Sequence, residues 1–383
     1  MKKKILLTLS HILVAALAAA VTLAVAVPKS EVSKLEELES LILERFIGES
    51  DRVAMEDAAA DAMVASLGDR WSYYIPADEY QDYLEQMANA FVGVGITIQV
   101  TEDSDGLLIV AVTQGGPAEE AGLLVGDVLV AVEETRIAGM STGEVKNLVR
   151  GEEGTWVNLT VARNGREETI PVERRTIQVA VATYTMLEKN VGLVRIANFD
   201  TRCAEETISA IEALLEQGAQ ALIFDVRGNP GGYASELVKI LDYLLPEGDL
   251  FRTVDYAGRE HTDTSDESCL ELPMAVLVNG DSYSAAEFFA AALREYDWAV
   301  IVGQKTCGKG YFQNTLPLSD GSAVGLSVGK YFTPNGVSLA DVGVTPDRVV
   351  EVDEQTRWKI YYGTLPIEED IQLEAALELL ETE

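Results

Sequence analysis

The chain has 383 residues, of which 48% are hydrophobic and 24% are charged, and its formal net charge is −34. This length exceeds what a single hydrophobic core supports, so the sequence predicts two or three domains. The acidic balance excludes nucleic acid as a partner, because a polyanion repels a protein of the same sign.

The N-terminal segment has the pattern of a membrane anchor. Three lysines at positions 2–4 precede a mostly apolar run over residues 5–27. Its length is close to the roughly 20 residues that a helix needs to span a bilayer, and the lysines favour a cytoplasmic N-terminus. We therefore predict a single-pass transmembrane helix within residues 1–29, with the rest of the chain extracytoplasmic. Residues 24–26, Ala-Val-Ala, also fit a signal-peptide cleavage site, which would make the protein secreted.

Residues 30–90 are predicted to be mainly helical. Apolar residues recur there at helical spacing between acidic ones, at Leu35, Leu38, Leu41, Ile42 and Phe46. Such a stripe is typical of a helix that packs on a core or on a partner helix. The segment continues into residues 66–74, SLGDRWSYY, whose aromatic side chains we expect to lie inside the fold.

A glycine-containing loop opens the next unit. Gly93 and Gly95 interrupt an apolar run and precede a predicted strand over residues 96–100. Their backbone N–H groups can form a nest that suits a carboxylate, although an ordinary turn has the same pattern. Further segments follow in order: GPAEEAGL at 116–123, GDVL at 126–129, a predicted helix at 144–151 and a predicted strand at 156–163.

Together these segments resemble a PDZ domain, spanning residues 91–175. PDZ domains add an extended C-terminal peptide to a sheet edge and hold its terminal carboxylate in the glycine loop. The resemblance therefore implies a carboxylate-binding loop formed by Gly93, Val94, Gly95 and Ile96.

From residue 176 onwards predicted strands and helices alternate, which indicates an α/β core. A predicted strand over residues 221–227 runs directly into Gly228-Asn229-Pro230-Gly231-Gly232. Glycines after a buried strand let the backbone approach a ligand closely, so the N–H of Gly231 or Gly232 can stabilise an oxyanion. A tight strand-to-helix turn requires the same residues.

The strongest candidate for a nucleophile is Ser284. A predicted strand over residues 274–278 is broken by Asn-Gly-Asp, and an Ala-rich helix is predicted over 285–296. Ser284 therefore lies at a helix N-terminus, where free backbone N–H groups, including that of Ala285, can stabilise a developing negative charge. Ser284 with Glu287 three residues later also fits an ordinary capping box.

A lysine on the neighbouring strand can supply the base. A predicted strand over residues 299–302 leads to Lys309, which lies between two glycines with no acidic neighbour in the sequence. A lysine base must be neutral, and burial favours the neutral form. Lys305, earlier in the same loop, is the alternative base.

Two other kinds of site have partial matches in the sequence. A Ser-His-Asp triad would depend on His261, in a polar segment that we predict to be a solvated loop, because His11 lies in the N-terminal apolar run. Residues 303–310, GQKTCGKG, nearly match a phosphate-binding P-loop but lack the Ser or Thr after the lysine. The three cysteines show no metal-ligand spacing, and no metal or other cofactor is implied.

The stretch from Ser282 to Gln313 resembles the C-terminal processing peptidases, also known as tail-specific proteases. Their pattern S-A-S-A-S-E, followed by F-G-K-G-x-x-Q, places the nucleophile on Ser284, the base on Lys309 and a lysine-orienting amide on Gln313. The resemblance extends to residues 66–74 and to DVRGNPGG at 225–232. The departures from the pattern, which bear on substrate preference, are Tyr283, Ala286 and Cys307.

The resemblance implies a serine endopeptidase that cleaves proteins near their C-termini through an acyl-enzyme, and the N-terminal apolar run predicts that it is anchored in a membrane. We expect an α/β protease core with a mixed β-sheet over residues 176–360, an inserted PDZ domain, an N-terminal helical segment and an N-terminal transmembrane helix. A C-terminal helix is predicted within residues 361–383, and it and the stripe at 30–46 are candidates for a homodimer contact. Two alternatives stay open: an inactive PDZ scaffold that binds tails, and a nucleotide-binding protein.

Overall fold

The computed structural model describes residues 33–100, 106–113 and 115–380. The chain divides into two compact units, Met1–Gly68 and Asp69–Glu383. The predicted transmembrane helix, within residues 1–29, lies outside the described residues. Among the residues that are described, no helix combines the length and the apolar character needed to cross a bilayer.

The described part of the first unit consists of helices α1 (Lys34–Arg45) and α2 (Arg52–Ala65). Ser33 and Glu36 form a capping box at the start of α1, and the Asp51 carboxylate accepts the Val53 N–H at the start of α2. Neither helix contains a buried residue. The predicted apolar stripe therefore lies on a helix, but its side chains are largely exposed, with Leu38 at 52%.

The second unit opens with β1 (Tyr73–Ile75), α3 (Ala77–Met87) and β2 (Ala90–Gly93). β1 pairs antiparallel with the strand Ala323–Phe332, so the mainly helical region predicted up to residue 90 contains one strand. The Tyr73 ring packs over the backbone of Gly325, where a Cβ atom would lie 2.3 Å from Cζ of the ring. This contact places the predicted aromatic stretch inside the fold.

The PDZ-like segment forms a five-stranded antiparallel path with the order β3-β4-β5-β7-β8, and β6 pairs with β5. Its elements are β3 (Ile96–Val100), β4 (Leu107–Val112), α4 (Pro117–Glu120), β5 (Val128–Val132), β6 (Thr135–Arg136), α5 (Thr142–Val149), β7 (Trp156–Arg163) and β8 (Arg166–Glu173). The inward-facing residues Ile109, Leu129 and Leu159 are fully buried. β3 lies at the edge of this sheet, and α5 contacts it.

The chain returns from this segment through β9 (Arg175–Gln178), which pairs antiparallel with β2. The segments that enter and leave the PDZ-like sheet therefore run side by side. A second link lies nearby, where the Arg150 guanidinium after α5 forms ion pairs with Asp82 and Glu85 on α3.

The remaining chain forms an α/β core with two sheets. Its elements are β10 (Ala182–Met186), β11 (Val191–Ile196), α6 (Cys203–Glu216), β12 (Ala221–Asp225), α7 (Ala234–Leu244), β13 (Gly248–Asp255), β14 (Glu260–Ser265), β15 (Met274–Val278), α8 (Ala285–Glu295), β16 (Ala299–Gly303), β17 (Tyr311–Pro317), β18 (Ala323–Phe332), β19 (Arg348–Val349), α9 (Glu354–Tyr361) and α10 (Ile371–Leu380). One sheet has the order β10-β11-β12-β15-β16-β19, parallel except for β10. The other runs β1-β18-β13-β14, with β17 on β18.

Apolar layers cover both faces of the mostly parallel sheet. β12 and β15 are buried along their whole length, as expected for strands that are covered on both sides. Phe289 of α8 packs on one face, and Leu373 and Ala376 of α10 pack on the other. The C-terminal helix thus covers the sheet of its own chain. The homodimer contact stays a prediction.

Candidate active site

Ser284 occupies the N-cap of α8 in a rare backbone conformation, with φ 58° and ψ −125°. A positive φ is strained for a residue with a side chain, and such strain is concentrated at functional sites. The loop before it is fixed by Ser282, whose buried hydroxyl donates to the Val226 carbonyl at 2.7 Å. Ser282 is therefore structural, and the chain turns sharply at Ser284.

The loops that follow β12 and β15 are hydrogen-bonded to each other. Gly228 N donates to the Asn279 side-chain oxygen at 3.0 Å, and Tyr283 N donates to the Asn229 carbonyl at 3.1 Å. Because the two strands are parallel neighbours, their carboxyl ends bring the NPGG segment beside Ser284.

Gly231 touches the predicted nucleophile directly. A Cβ atom at Gly231 would lie 2.8 Å from the Ser284 Cβ and 3.0 Å from the Ala285 nitrogen, and its φ is +88°. Its N–H, however, donates to the Asn229 side-chain oxygen at 2.8 Å, so in this arrangement it is not available to an oxyanion. The N–H groups of Gly232 and Ala285 have no hydrogen-bond partner within the described parts of the chain.

Lys309 is half-buried, and its amine lies over two aromatic rings. Lys309 Nζ is 5.0 Å from the ring centroid of Trp71 and 5.7 Å from that of Tyr283. Burial lowers the pKa of Lys309 below its usual value, although the negative charges of Glu287 and Asp69 act in the opposite direction. The predicted burial of Lys309 is present. Lys309 has no acidic neighbour in the sequence, but the fold brings Glu287 and Asp69 close enough to act on it.

The carboxylate of Glu287 forms hydrogen bonds with both the serine loop and the lysine loop. Glu287 on α8 is fully buried, and its Oε1 accepts hydrogen bonds from Thr306 Oγ1 at 2.5 Å and Gly308 N at 2.7 Å. Its Oε2 accepts from Ser284 N at 3.0 Å and Lys309 N at 2.7 Å. The sequence predicts only a capping role for Glu287, because the S-x-x-E spacing does not indicate the link to Lys309.

Gln313 lies on β17, and its side-chain nitrogen donates to neighbours in the same sheet. Its Nε2 donates to the Tyr311 carbonyl at 3.2 Å and to Ser327 Oγ at 3.0 Å. Across the described residues, no hydrogen bond joins the Lys309 amine to Ser284 Oγ or to Gln313. The structure thus brings Ser284 and Lys309 together through their backbones, and the lysine-orienting role of Gln313 stays a prediction.

The sequence profile of the peptidase family S41 matches residues 190–350, and that of the PDZ domain matches residues 94–173. The carboxy-terminal processing protease CtpA of Bacillus subtilis is 31% identical over 331 residues, which cover 86% of this chain and 71% of the relative. The chain belongs to the carboxyl-terminal processing serine proteases of family S41. The carboxyl-terminal-processing protease of Synechocystis is likewise 31% identical, over 84% of this chain and 76% of its own.

A solved structure supports the fold of this S41 protease. The chain superimposes on a protein of Bacteroides fragilis assigned to the S41 proteases with a TM-score of 0.55, over 90% of this chain and 97% of the other. The sequence identity is 19%, so this likeness concerns the fold alone.

The alternative catalytic residues have no comparable setting in this S41 chain. His261 is exposed on β14, which was predicted to be a loop, and its Nε2 lies 3.1 Å from Asp263 Oδ1. Lys305 is exposed. A P-loop lysine opens a helix, whereas Lys309 leads into β17, so the nucleotide-site interpretation is not supported.

The predicted carboxylate loop of the PDZ domain lies between β2 and β3. The Val94 carbonyl accepts from Ala118 N and the Gly95 carbonyl accepts from Thr113 N, both at 2.9 Å. The N–H groups of Val94 and Gly95 have no partner among the residues described. Gly93 and Ile96 instead belong to the flanking strands. The N–H groups of Val94 and Gly95 thus lie without such a partner next to the edge strand β3, in a loop whose residues 93–95 are buried.

Proposed function

We propose that this S41 protease is an endopeptidase that cleaves polypeptides near their C-termini, with Ser284 as nucleophile and Lys309 as general base. The observation that carries the proposal is the shared acceptor Glu287 Oε2, which holds the backbone of both residues. The lowered pKa of Lys309 supports it, because burial increases the neutral fraction of the amine.

The chemistry follows from these positions. The neutral Lys309 amine takes the proton of Ser284 Oγ, and the oxygen attacks the carbonyl carbon of the scissile peptide bond. The ammonium of Lys309 then protonates the leaving amine as the C–N bond breaks and an ester forms. Water hydrolyses the ester with the same base, which regenerates the serine.

The oxyanion of the tetrahedral intermediate needs N–H donors near Ser284. Ala285 lies at the first turn of α8, where N–H groups are free and the helix dipole favours negative charge. Gly232 follows Gly231, whose backbone is in contact with Ser284. We assign these two N–H groups to the oxyanion, and we give Gly231 the role of permitting the close approach.

The PDZ domain supplies the preference for chain ends in this proposal. An extended tail adds to the free edge of β3, and its terminal carboxylate accepts hydrogen bonds from Val94 and Gly95. Internal segments lack that carboxylate. The apolar run over residues 5–27 supports a membrane anchor that holds the protease outside the cytoplasm, where it meets protein tails.

The decisive test compares the wild type with Ser284→Ala on a peptide that has a free C-terminal carboxylate and on its C-terminal amide. The proposal requires that the wild type cleaves the free acid and that Ser284→Ala does not. It also requires that the wild type shows a higher KM for the amide than for the free acid. Ser284→Ala should still bind the tail. Binding without cleavage by both proteins would instead favour the inactive scaffold.

A further inference from the structure

The short segment before β1 reaches the lysine half of the site. The ring centroid of Trp71 lies 5.0 Å from Lys309 Nζ and 6.1 Å from the ring centroid of Tyr283, with an angle of 31° between the two rings. Tyr283 itself is 5.7 Å from the amine. The Lys309 amine is therefore flanked by two rings, one from the serine loop and one from a segment that precedes the PDZ domain.

Trp71 is fixed by its neighbours in the chain. The Arg70 guanidinium lies 4.4 Å from the Trp71 ring centroid, and Arg70 Nη2 donates to the Cys307 carbonyl at 3.3 Å. Asp69 Oδ1 accepts the backbone N–H of Trp71 at 3.1 Å. Arg70 thus bridges the indole to the loop that carries Lys309.

We propose that Trp71 is a positioning residue, which holds the Lys309 amine out of water against Tyr283, and that Arg70 keeps the indole in place. This inference rests on the proposed role of Lys309 as the base. It makes the segment upstream of the PDZ domain a part of the catalytic apparatus, because the lysine would otherwise face solvent.

Two opposite effects act on the amine at this position. An aromatic face attracts an ammonium ion, whereas exclusion of water disfavours it. The charged or titratable groups around Lys309 are Glu287 from α8, Asp69 and Arg70 before β1, and Cys307 and Tyr283 on the neighbouring loops. Burial outweighs the neighbouring charges in lowering the pKa of this half-buried lysine. We expect it to outweigh the attraction of the ring as well, so removal of the indole should favour the ammonium form.

The neutral amine also gains mobility in this arrangement. Attraction to the two rings depends on the positive charge and disappears when Lys309 loses its proton. The neutral amine is then free to turn towards Ser284, whose backbone N–H donates to the same Glu287 oxygen as the backbone N–H of Lys309. This attraction to the charged form opposes the exclusion of water, which is the larger effect in this proposal.

The test measures the titration of Lys309 without relying on turnover. Lys309 is labelled with acetic anhydride as a function of pH in a Ser284→Ala background, with exposed Lys305 as the internal reference, and the sites are read by mass spectrometry. Trp71→Ala should raise the labelling midpoint of Lys309 by about one pH unit, a ten-fold loss of the neutral fraction. Trp71→Phe should restore most of it, and Arg70→Ala should shift it in the same direction as Trp71→Ala but less.

The same variants with Ser284 intact should show the acidic limb of kcat/KM moved to higher pH by the same amount. An unchanged Lys309 midpoint in folded Trp71→Ala would overturn the proposal, even if activity fell. Should Trp71→Ala not fold, unchanged midpoints in Trp71→Phe and in the surface variant Arg70→Ala would overturn it as well. If the wild type cleaves no peptide, the function assigned to the site fails, while the labelling still reports on Trp71.

Discussion

The backbone N–H groups of Ser284 and Lys309 donate to the same oxygen atom, Oε2 of Glu287, at 3.0 and 2.7 Å. The two residues follow β15 and β16, which are parallel neighbours. Because the carboxylate is fully buried, water cannot replace either bond. Glu287, which takes no part in the proposed chemistry, therefore helps to set the separation of the serine and the lysine. A second link between the two loops is the Cys307 N–H, which donates to the Ser282 carbonyl at 3.2 Å.

Glu287→Ala should loosen this link and destabilise the core. It leaves four donors without a partner. Three are buried, the N–H groups of Ser284 and Gly308 and the Thr306 hydroxyl, and the Lys309 N–H is half-buried. An unsatisfied buried donor costs about 1–3 kcal/mol, and partial relaxation leads us to expect a loss of about 3–5 kcal/mol in the free energy of unfolding. Urea denaturation of the variant in the Ser284→Ala background measures it.

Glu144→Ala is the matched control, because Glu144 has the same position in the capping box of α5 but is exposed on the PDZ domain. Its loss should change the urea midpoint little and leave peptide cleavage intact. Similar losses of stability in the two variants would contradict a linking role for Glu287.

Lys309→Arg should abolish most of the activity. A guanidinium stays protonated at all accessible pH values and cannot take the Ser284 proton. General base catalysis typically contributes about 100- to 10,000-fold, so kcat should fall by that factor. Lys305→Arg, in the same loop but exposed, should retain wild-type kcat. Loss of activity in the Lys305 variant alone would reverse the assignment of the base.

The pH profile of the wild type follows from the direction of the Lys309 shift. Below its pKa the amine is protonated and cannot act as a base, so activity rises with pH as Lys309 loses its proton. Burial lowers this pKa, which moves the rising limb of kcat/KM to lower pH than an ordinary lysine would give. A rising limb at the ordinary lysine position would show that the amine is hydrated in the free enzyme.

The approach of the Ser284 loop to the Lys309 loop could be predicted from the sequence because it depends on local patterns. Two apolar strands, each followed by a polar turn, place their carboxyl ends together in a parallel sheet. The contact of Trp71 with Lys309 joins segments more than 200 residues apart, and no periodicity encodes it. The hydrogen bond from Gly231 N to Asn229 depends on a side-chain rotamer, which the NPGG motif alone does not specify.

Gly231→Ala should inactivate the enzyme with a modest effect on folding. The new methyl group would lie 2.8 Å from the Ser284 Cβ and must displace it. A displacement of about 1 Å at a reacting group can cost 100-fold, so kcat/KM should fall by about that factor or more.

Gly228→Ala is the control for backbone strain, since its φ of +71° is similar and its nearest neighbour is the Tyr361 ring at 3.4 Å. It should lose stability through the same left-handed strain but keep most of its activity. If Gly228→Ala were as inactive as Gly231→Ala, strain in the loop and not contact with Ser284 would explain both.

Arg227→Met should be strongly destabilising, although Arg227 is not assigned to the reaction. The buried guanidinium is fully satisfied by Asp225, Asp370 and Gln372, so it joins the end of β12 to the turn before α10. Removing one partner from a buried ionic cluster costs about 3–5 kcal/mol, because the carboxylates stay buried without compensation.

Arg357→Ala is the control, because Arg357 pairs with Asp281 through the same two-pronged geometry but its side chain is 49% exposed. Its loss should cost about 0.5 kcal/mol. Urea denaturation of both variants measures the contrast, and an effect of Arg227→Met no larger than that of Arg357→Ala would show that the cluster does not hold α10 on the sheet.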